Sequence, residues 1–234
     1  MSYEINLDEV DVDGAVREAA HDVAGDTRLG FLKKAGVAGG AVVGGGAVMS
    51  ALAPSAFAAK QRGRPPAKFG KGDVGILNYA LTLEYLEAAF YNGATAANLT
   101  LTPQAAAFLK TVTADENAHV AFLKKALGSK AAKQPKFNFA GANTSTDAFM
   151  KTAAVLENTG VHAYLGQVLN IKNPAYVAAA GSILTIEARH ASVIGLLNEA
   201  SPTGAGIAPD GPFDKPWTAS KVLKEVEATK FITG

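Results

Sequence analysis

Four stretches of the chain, Asp73–Asn92, Pro103–Leu127, Thr146–Leu169 and Pro174–Glu199, carry apolar residues at three- and four-residue spacing, and each sets a glutamate inside its apolar stripe. That spacing marks helices with one buried face. Punctuation agrees with the ends. Thr102-Pro103 puts a capping hydroxyl before a proline at the first helical position, Gly128 follows the second stretch, and Asn173-Pro174 opens the fourth.

The connections are unequal: about nine residues between the first pair, about four between the last pair and about eighteen in the middle. Short links make antiparallel neighbours. A link of about eighteen residues extends to ~60 Å, whereas a helix of about 24 residues is ~36 Å long, so the middle link can cross the whole assembly. The fold expected is all-α, an antiparallel four-helix bundle with one long crossover between helices 2 and 3. Among such bundles this connectivity is ferritin-like.

At 100° per residue, Glu84 lies amid Leu77, Ala80, Leu81, Ala88 and Tyr91. Glu116 and His119 share a face with Phe108, Leu109, Val112, Val120 and Leu123. Glu157 sits with Met150, Ala153, Ala154, Val161, Tyr164 and Val168, while Glu187 and His190 sit with Ala180, Ile183, Leu184, Ala191 and Ile194. Four unpaired carboxylates in one core would repel each other and lose hydration worth several kcal/mol apiece. These stripes hold no matching Lys or Arg, and Arg189 points away from Glu187. Two divalent cations balance the four charges, and two neutral imidazoles complete the shell.

The arrangement repeats. Glu84 and Glu157 each precede a tyrosine, Tyr91 and Tyr164, by the same interval, and Glu116-x-x-His119 answers Glu187-x-x-His190. A lone Glu on one helix and Glu-x-x-His on the next, given twice, is the ligand pattern of di-iron and di-manganese carboxylate bundles. The expected metal ligands are therefore Glu84, Glu116, His119, Glu157, Glu187 and His190. Glu116 and Glu187 would bridge, with the other four terminal. Tyr91 and Tyr164 are candidates for hydrogen bonds to ligands. Glu87, about 60° round from Glu84, could be the ligand in its place, but the repeated interval to tyrosine favours Glu84 and leaves Glu87 a flanking, partly exposed charge; His162, about 140° from Glu157, is expected to be a surface or interhelix contact, and Asp115 a residue at the helix edge.

The stretches Tyr79–Tyr91 (YALTLEYLEAAFY), Asp115–Leu123 (DENAHVAFL), Leu156–Gly166 (LENTGVHAYLG) and Ile183–His190 (ILTIEARH) resemble the bacterial ferritin-like domain family that includes desiccation-related proteins. The resemblance runs from Asp73 to about Ala200. It implies a di-metal ferritin-like fold and does not by itself supply a reaction.

The first seventy or so residues differ from the rest. Residues 1–58 pair an acidic segment with Thr27-Arg28-Leu29-Gly30-Phe31-Leu32-Lys33-Lys34 and an uncharged Gly/Ala/Val-rich run ending in Ala56-Phe57-Ala58. Basic flank, apolar region and small-residue cleavage site are the order of an export signal. It resembles a twin-arginine leader, with Leu29 where the second arginine usually stands, and members of the family commonly carry such leaders. This implies an extracytoplasmic location, in the periplasm or cell envelope, or a cytoplasmic one if the degenerate signal is inactive. An uncleaved membrane anchor through residues 35–59 and a plain Gly/Ala linker are the competing readings. Residues 59–71, with Pro65 and Pro66 among basic residues, read as a linker, 72–200 as the bundle, and 201–234 as a Pro/Gly-rich tail with a short helix at Ser220–Thr229.

Composition narrows the chemistry. A net charge of +1 gives no reason to expect nucleic acid as a partner, and the absence of cysteine excludes thiolate-ligated metal and thiol nucleophiles. An oxygen-rich shell with one imidazole per metal suits iron first and manganese second. The expected partners are small molecules: iron(II), with dioxygen or hydrogen peroxide, in a ferroxidase or peroxidase serving stress protection. The reading from a different class is a non-catalytic desiccation or structural protein whose metals hold the bundle together. Homo-oligomerisation is left open, although the chain's ends bear little resemblance to those of a cage subunit.

Overall fold

A computed structural model describes residues 63–198 and 205–233. The acidic segment, the leader-like stretch and the start of the basic linker lie outside the described residues. Five α-helices are present among those described: α1 Gly72–Ala96, α2 Pro103–Leu127, α3 Thr146–Val168, α4 Pro174–Asn198 and α5 Ala219–Thr229. None is long and apolar enough to cross a membrane.

Side-chain oxygens start the helices where the sequence places them. Thr102 Oγ1 accepts from Ala105 N at 3.2 Å with Pro103 at the first position of α2, and Ser145 Oγ accepts from Ala148 N at 3.2 Å at the start of α3. Asp73, in the first turn of α1, accepts from Lys172 N at 3.0 Å and Asn173 N at 2.9 Å. The turn between α3 and α4 is thereby tied to the N-terminus of α1, where a carboxylate also complements the helix dipole.

The pairings fix the helix directions. Asn92 bonds Asn117, and Thr95 meets Thr113 at 3.3 Å, so α1 and α2 run antiparallel. Asn198 Nδ2 donates to Met150 O at 2.9 Å, which sets α4 antiparallel to α3. Tyr91 reaches Glu157 while Tyr164 reaches Glu84, so α1 and α3 are antiparallel as well. Helices α2 and α3 must then be parallel, and the connection between them has to travel the length of the bundle.

It does so along α1. After the turn Gly128–Lys130, Asn78 of α1 accepts from Ala132 N at 2.8 Å and donates to Lys130 O at 3.0 Å. Phe139 then packs its edge on Phe90 at 5.5 Å, and Thr146 Oγ1 donates to Thr100 O at 2.8 Å. The turn Ala67–Phe69 covers another part of α1, Phe69 lying edge-on to Tyr79 at 5.8 Å. As a result α1 is buried on nearly every face from Gly75 to Tyr91.

The C-terminal segment closes α3. Trp217 N donates to His162 O at 3.1 Å, its ring stacks on the His162 imidazole at 4.1 Å, and α5 buries Val222 and Val226. Ile232 bridges to Phe137 of the crossover, with Asn138 N donating to Phe231 O at 2.8 Å. Gly63 accepts from Ala219 N at 2.9 Å and from Gln167 Nε2 at 2.8 Å, so from Gly63 onward the segment before the bundle lies against it.

Candidate metal centre

The four helices bring their carboxylates to one place. Glu84, Glu116, Glu157 and Glu187 are fully buried, and His119 and His190 nearly so. Their Nδ1 atoms face inward. His119 Nδ1 is 3.2 Å from Glu84 Oε2, 3.2 Å from Glu116 Oε2 and 3.3 Å from Glu187 Oε1. His190 Nδ1 is 3.2 Å from both Glu116 Oε1 and Glu157 Oε2.

Two overlapping groups result. Glu84, Glu116, His119 and Glu187 bring one N or O atom each within 4.8 Å of one another, and Glu116, Glu157, Glu187 and His190 do the same. Glu116 and Glu187 belong to both. Among the described residues, the ion-pair partners of these four glutamates are the two histidines alone.

The tyrosines lock the outer carboxylates. Tyr91 donates to Glu157 Oε1 and Tyr164 to Glu84 Oε1, each bond crossing between α1 and α3. Burial raises both phenols well above their ordinary range, and the bonded glutamates add to it, so both hydroxyls stay protonated as donors.

Asp115 takes the half-exposed position expected at the helix edge, and its Oδ2 also lies 3.0 Å from His190 Nε2. A carboxylate behind an imidazole fixes the ring and its tautomer. The residue matching Asp115 before Glu187 is Ile186, so the repeat breaks here, and among the described residues His119 has no such support.

Glu87 corrects the reading from sequence. It is only 3% exposed and has no ion-pair partner among the described residues. The repeat breaks at this position too, because Gly160 stands on α3 where Glu87 stands on α1. A Cβ at Gly160 would lie 2.4 Å from Glu187 Oε2 and 3.3 Å from Glu87 Oε1. Gly160 therefore leaves the space that Glu187 occupies, and Glu87 brings a fifth carboxylate beside it. The signal in the sequence was the pair Glu84-x-x-Glu87 itself.

His162 is neither a surface nor an interhelix contact: it packs on the loop segment that leads into α5. It is buried, with Nδ1 2.8 Å from Lys215 O and Nε2 3.7 Å from Asp210 Oδ2. It belongs to neither group of close donors.

Burial pushes Glu187 and Glu87 well above the usual carboxylate range, neighbouring carboxylates adding to it, and raises Glu116 to about 7. Burial also works to raise Glu84, but His119, together with hydrogen bonds from Glu116 and Tyr164, outweighs it and leaves Glu84 below its ordinary value. Burial lowers the imidazoles, but the carboxylates around them win, pushing His190 up to about 11 and His119 also upward. Without cations, protons carry the burden of neutralising this cluster.

The donor set fits a metal pair. Both oxygens of Glu187, Oε1 of Glu116, Oε2 of Glu157 and Nδ1 of His190 are buried with no aligned hydrogen-bond partner, although some lie close to one another. Orphaned buried acceptors of this kind are costly unless something fills the space between them.

A profile of the ferritin-like domain matches residues 72–199, more than half of the chain. The chain belongs to the ferritin-like domain family. The all-helical fold and the buried cluster of glutamate and histidine agree with that membership. A search of curated proteins returns no match for this ferritin-like protein.

Proposed function

We propose that this ferritin-like protein holds two metal ions, iron in preference to manganese, through Glu84, Glu116, His119, Glu157, Glu187 and His190, and oxidises iron(II) with dioxygen or hydrogen peroxide. The observation that carries the proposal is the overlap of the two donor groups at Glu116 and Glu187. Shared carboxylates between two sites are what a bridged metal pair requires.

A bound iron pair supplies one-electron redox steps and coordination positions open to an oxidant. The protein's own contribution is geometric and electrostatic. Tyr91 and Tyr164 hold Glu157 and Glu84 in one orientation, Asp115 holds His190, and full burial keeps water from competing for the glutamates. In the overall reaction, two iron(II) ions give one electron each to hydrogen peroxide, which takes up two protons and leaves as two waters. Dioxygen takes one electron from each of four iron(II) ions, oxidised as two successive pairs, and four protons to reach the same product.

The leader-like sequence at Thr27–Lys34 and the apolar run after it support an extracytoplasmic setting and a role in protection from iron-driven oxidative stress. In the second reading, metal serves only to neutralise the buried carboxylates and hold the bundle, and the five buried glutamates speak for it. The two separate in one experiment. Protein loaded anaerobically with iron(II) is mixed with each oxidant, following iron(III) absorbance and peroxide loss, while zinc-loaded protein is melted beside it. Fast oxidation that disappears in Glu116→Ala/Glu187→Ala supports the oxidoreductase. Stabilisation by zinc equal to that by iron, with no oxidation above that of free iron, supports the structural role.

A further inference from the structure

The two ends of the bundle differ in charge. The N-termini of α1 and α4 and the C-termini of α2 and α3 lie together at one end: Asp73 of α1 accepts from Lys172 N and Asn173 N before α4, Asn78 of α1 accepts from Ala132 N beyond α2, and Arg64 donates to Asn170 O just past α3. Residues 63–74, 124–133 and 169–174 form this end. They hold seven lysines and Arg64 against a single carboxylate, Asp73, which is turned to its two backbone donors. All seven lysines are exposed, and none has an ion-pair partner among the described residues. At the opposite end Asp147 and Lys151 pair at 2.9 Å, and residues 97–102 carry no charge. Helix dipoles account for only part of the difference. Lys124, Lys125 and Lys130 follow the C-terminal turn of α2, where cations are favoured. Lys71, however, is the N-cap residue of α1, and Lys172 stands two residues before α4 begins at Pro174, where cations are disfavoured. An anionic partner outside the chain would offset both that cost and the mutual repulsion of the lysines.

We propose that this basic end of the bundle binds the headgroups of an anionic phospholipid bilayer. Three features select lipid over nucleic acid or an acidic protein. Seven of the eight cations are lysine, a point charge suited to a diffuse layer of phosphates, and not arginine, whose fork gives bidentate contacts to single groups. Leu169 is 63% exposed beside Asn170, the residue that Arg64 holds, and half-buried Ile171 follows. An apolar side chain set among cations enters the boundary between headgroups and acyl chains. In the sequence, the uncharged run of residues 35–59, long enough to be read as a membrane anchor, ends just before Gly63, and Gln167 Nε2 ties Gly63 to α3 at this same end. Lipid binding of this kind does not depend on the metal centre or on any oxidation.

The test is co-sedimentation of the full-length protein with vesicles of phosphatidylcholine alone and of phosphatidylcholine mixed with phosphatidylglycerol. Any hold of the apolar run on lipid is present in both, so the basic end is read from the gain in binding that phosphatidylglycerol brings. One variant carries Lys71→Gln, Lys130→Gln, Lys133→Gln and Lys172→Gln. Its control loses the same charge elsewhere, through Lys110→Gln, Lys151→Gln, Lys224→Gln and Lys230→Gln, and all eight side chains are exposed. Each lysine near an anionic surface strengthens binding about fivefold. The gain should therefore fall at least about tenfold in the first variant, stay within about twofold in the control, and fade as salt is raised to about 0.5 M. No gain from phosphatidylglycerol in the unaltered protein, or an equal loss in the two variants, overturns the proposal. Tighter binding of a short DNA duplex than of the vesicles, lost in the first variant alone, also overturns it and makes this end a nucleic-acid face.

Discussion

Tyr164 on α3 donates a hydrogen bond from its hydroxyl to Oε1 of Glu84 on α1, across the core of the bundle. Tyr91 on α1 does the same for Glu157 on α3, so each lone glutamate is oriented by the helix that carries the other. This reciprocity is the structural meaning of the two Glu-to-Tyr intervals in the sequence.

Replacing Tyr164 by Phe leaves a buried carboxylate oxygen without its donor, which costs about 1–3 kcal/mol. Metal affinity should fall by about 10–100-fold, the usual cost of losing a partner behind a ligand. Metal titration by calorimetry checks it, and unchanged affinity would show that Glu84 is held by other means.

Gly160→Ala separates helix propensity from the centre. Alanine favours an exposed helix interior over glycine by about 1 kcal/mol, yet here its Cβ meets Glu187 Oε2 at 2.4 Å. Circular dichroism should show full helix content while metal binding weakens strongly. Normal metal uptake would mean that Glu187 moves without consequence.

Among the described residues the His190–Asp115 contact has no equivalent at His119, so Asp115→Asn should affect the two metal positions unequally. Stepwise titration should show one site weakened by about tenfold or more and the other unchanged. Equal shifts at both would rule out Asp115 as a local support of His190.

How the chain disclosed this centre follows from where each residue points. Helix α2 was legible to its last residue because its caps are local: Thr102, Pro103 and Gly128 act within one turn. Helix α1 runs past Asn92-Gly93, a turn signal by composition, because the crossover covers that point. A Cβ at Gly93 would meet Asn143 Nδ2 at 2.3 Å, a contact that links residues far apart in the chain. Glu87 was misread for a different reason: it faces Gly160 of α3, whose missing side chain lets a residue off the centre of the stripe lie inside the core beside Glu187. The convergence of Glu84, Glu116, His119, Glu157, Glu187 and His190 was legible because its signal, polar groups on apolar stripes repeated twice, is internal to each helix.

His162 adds a pH dependence distant from the ligands. Burial holds its imidazole below the ordinary value of 6.5, so on acidification the unfolded chain takes up a proton before the folded one does. Stability is therefore lost as pH falls from 6.5 toward the folded value, and the loss levels off below it. Trp217, the chain's one tryptophan and the ring stacked on His162, reports unfolding by fluorescence. Between about pH 7.5 and 5.5 the melting temperature should drop more in the unaltered protein than in His162→Phe. Identical drops would assign the pH sensitivity elsewhere.

The central claim is the metal pair, and the direct measurement is elemental analysis of the protein purified from its own host beside Glu116→Ala/Glu187→Ala. The account predicts about two iron or manganese ions per chain, lost in the variant. Only traces of metal in the unaltered protein, with no change in stability on adding iron(II), would contradict it.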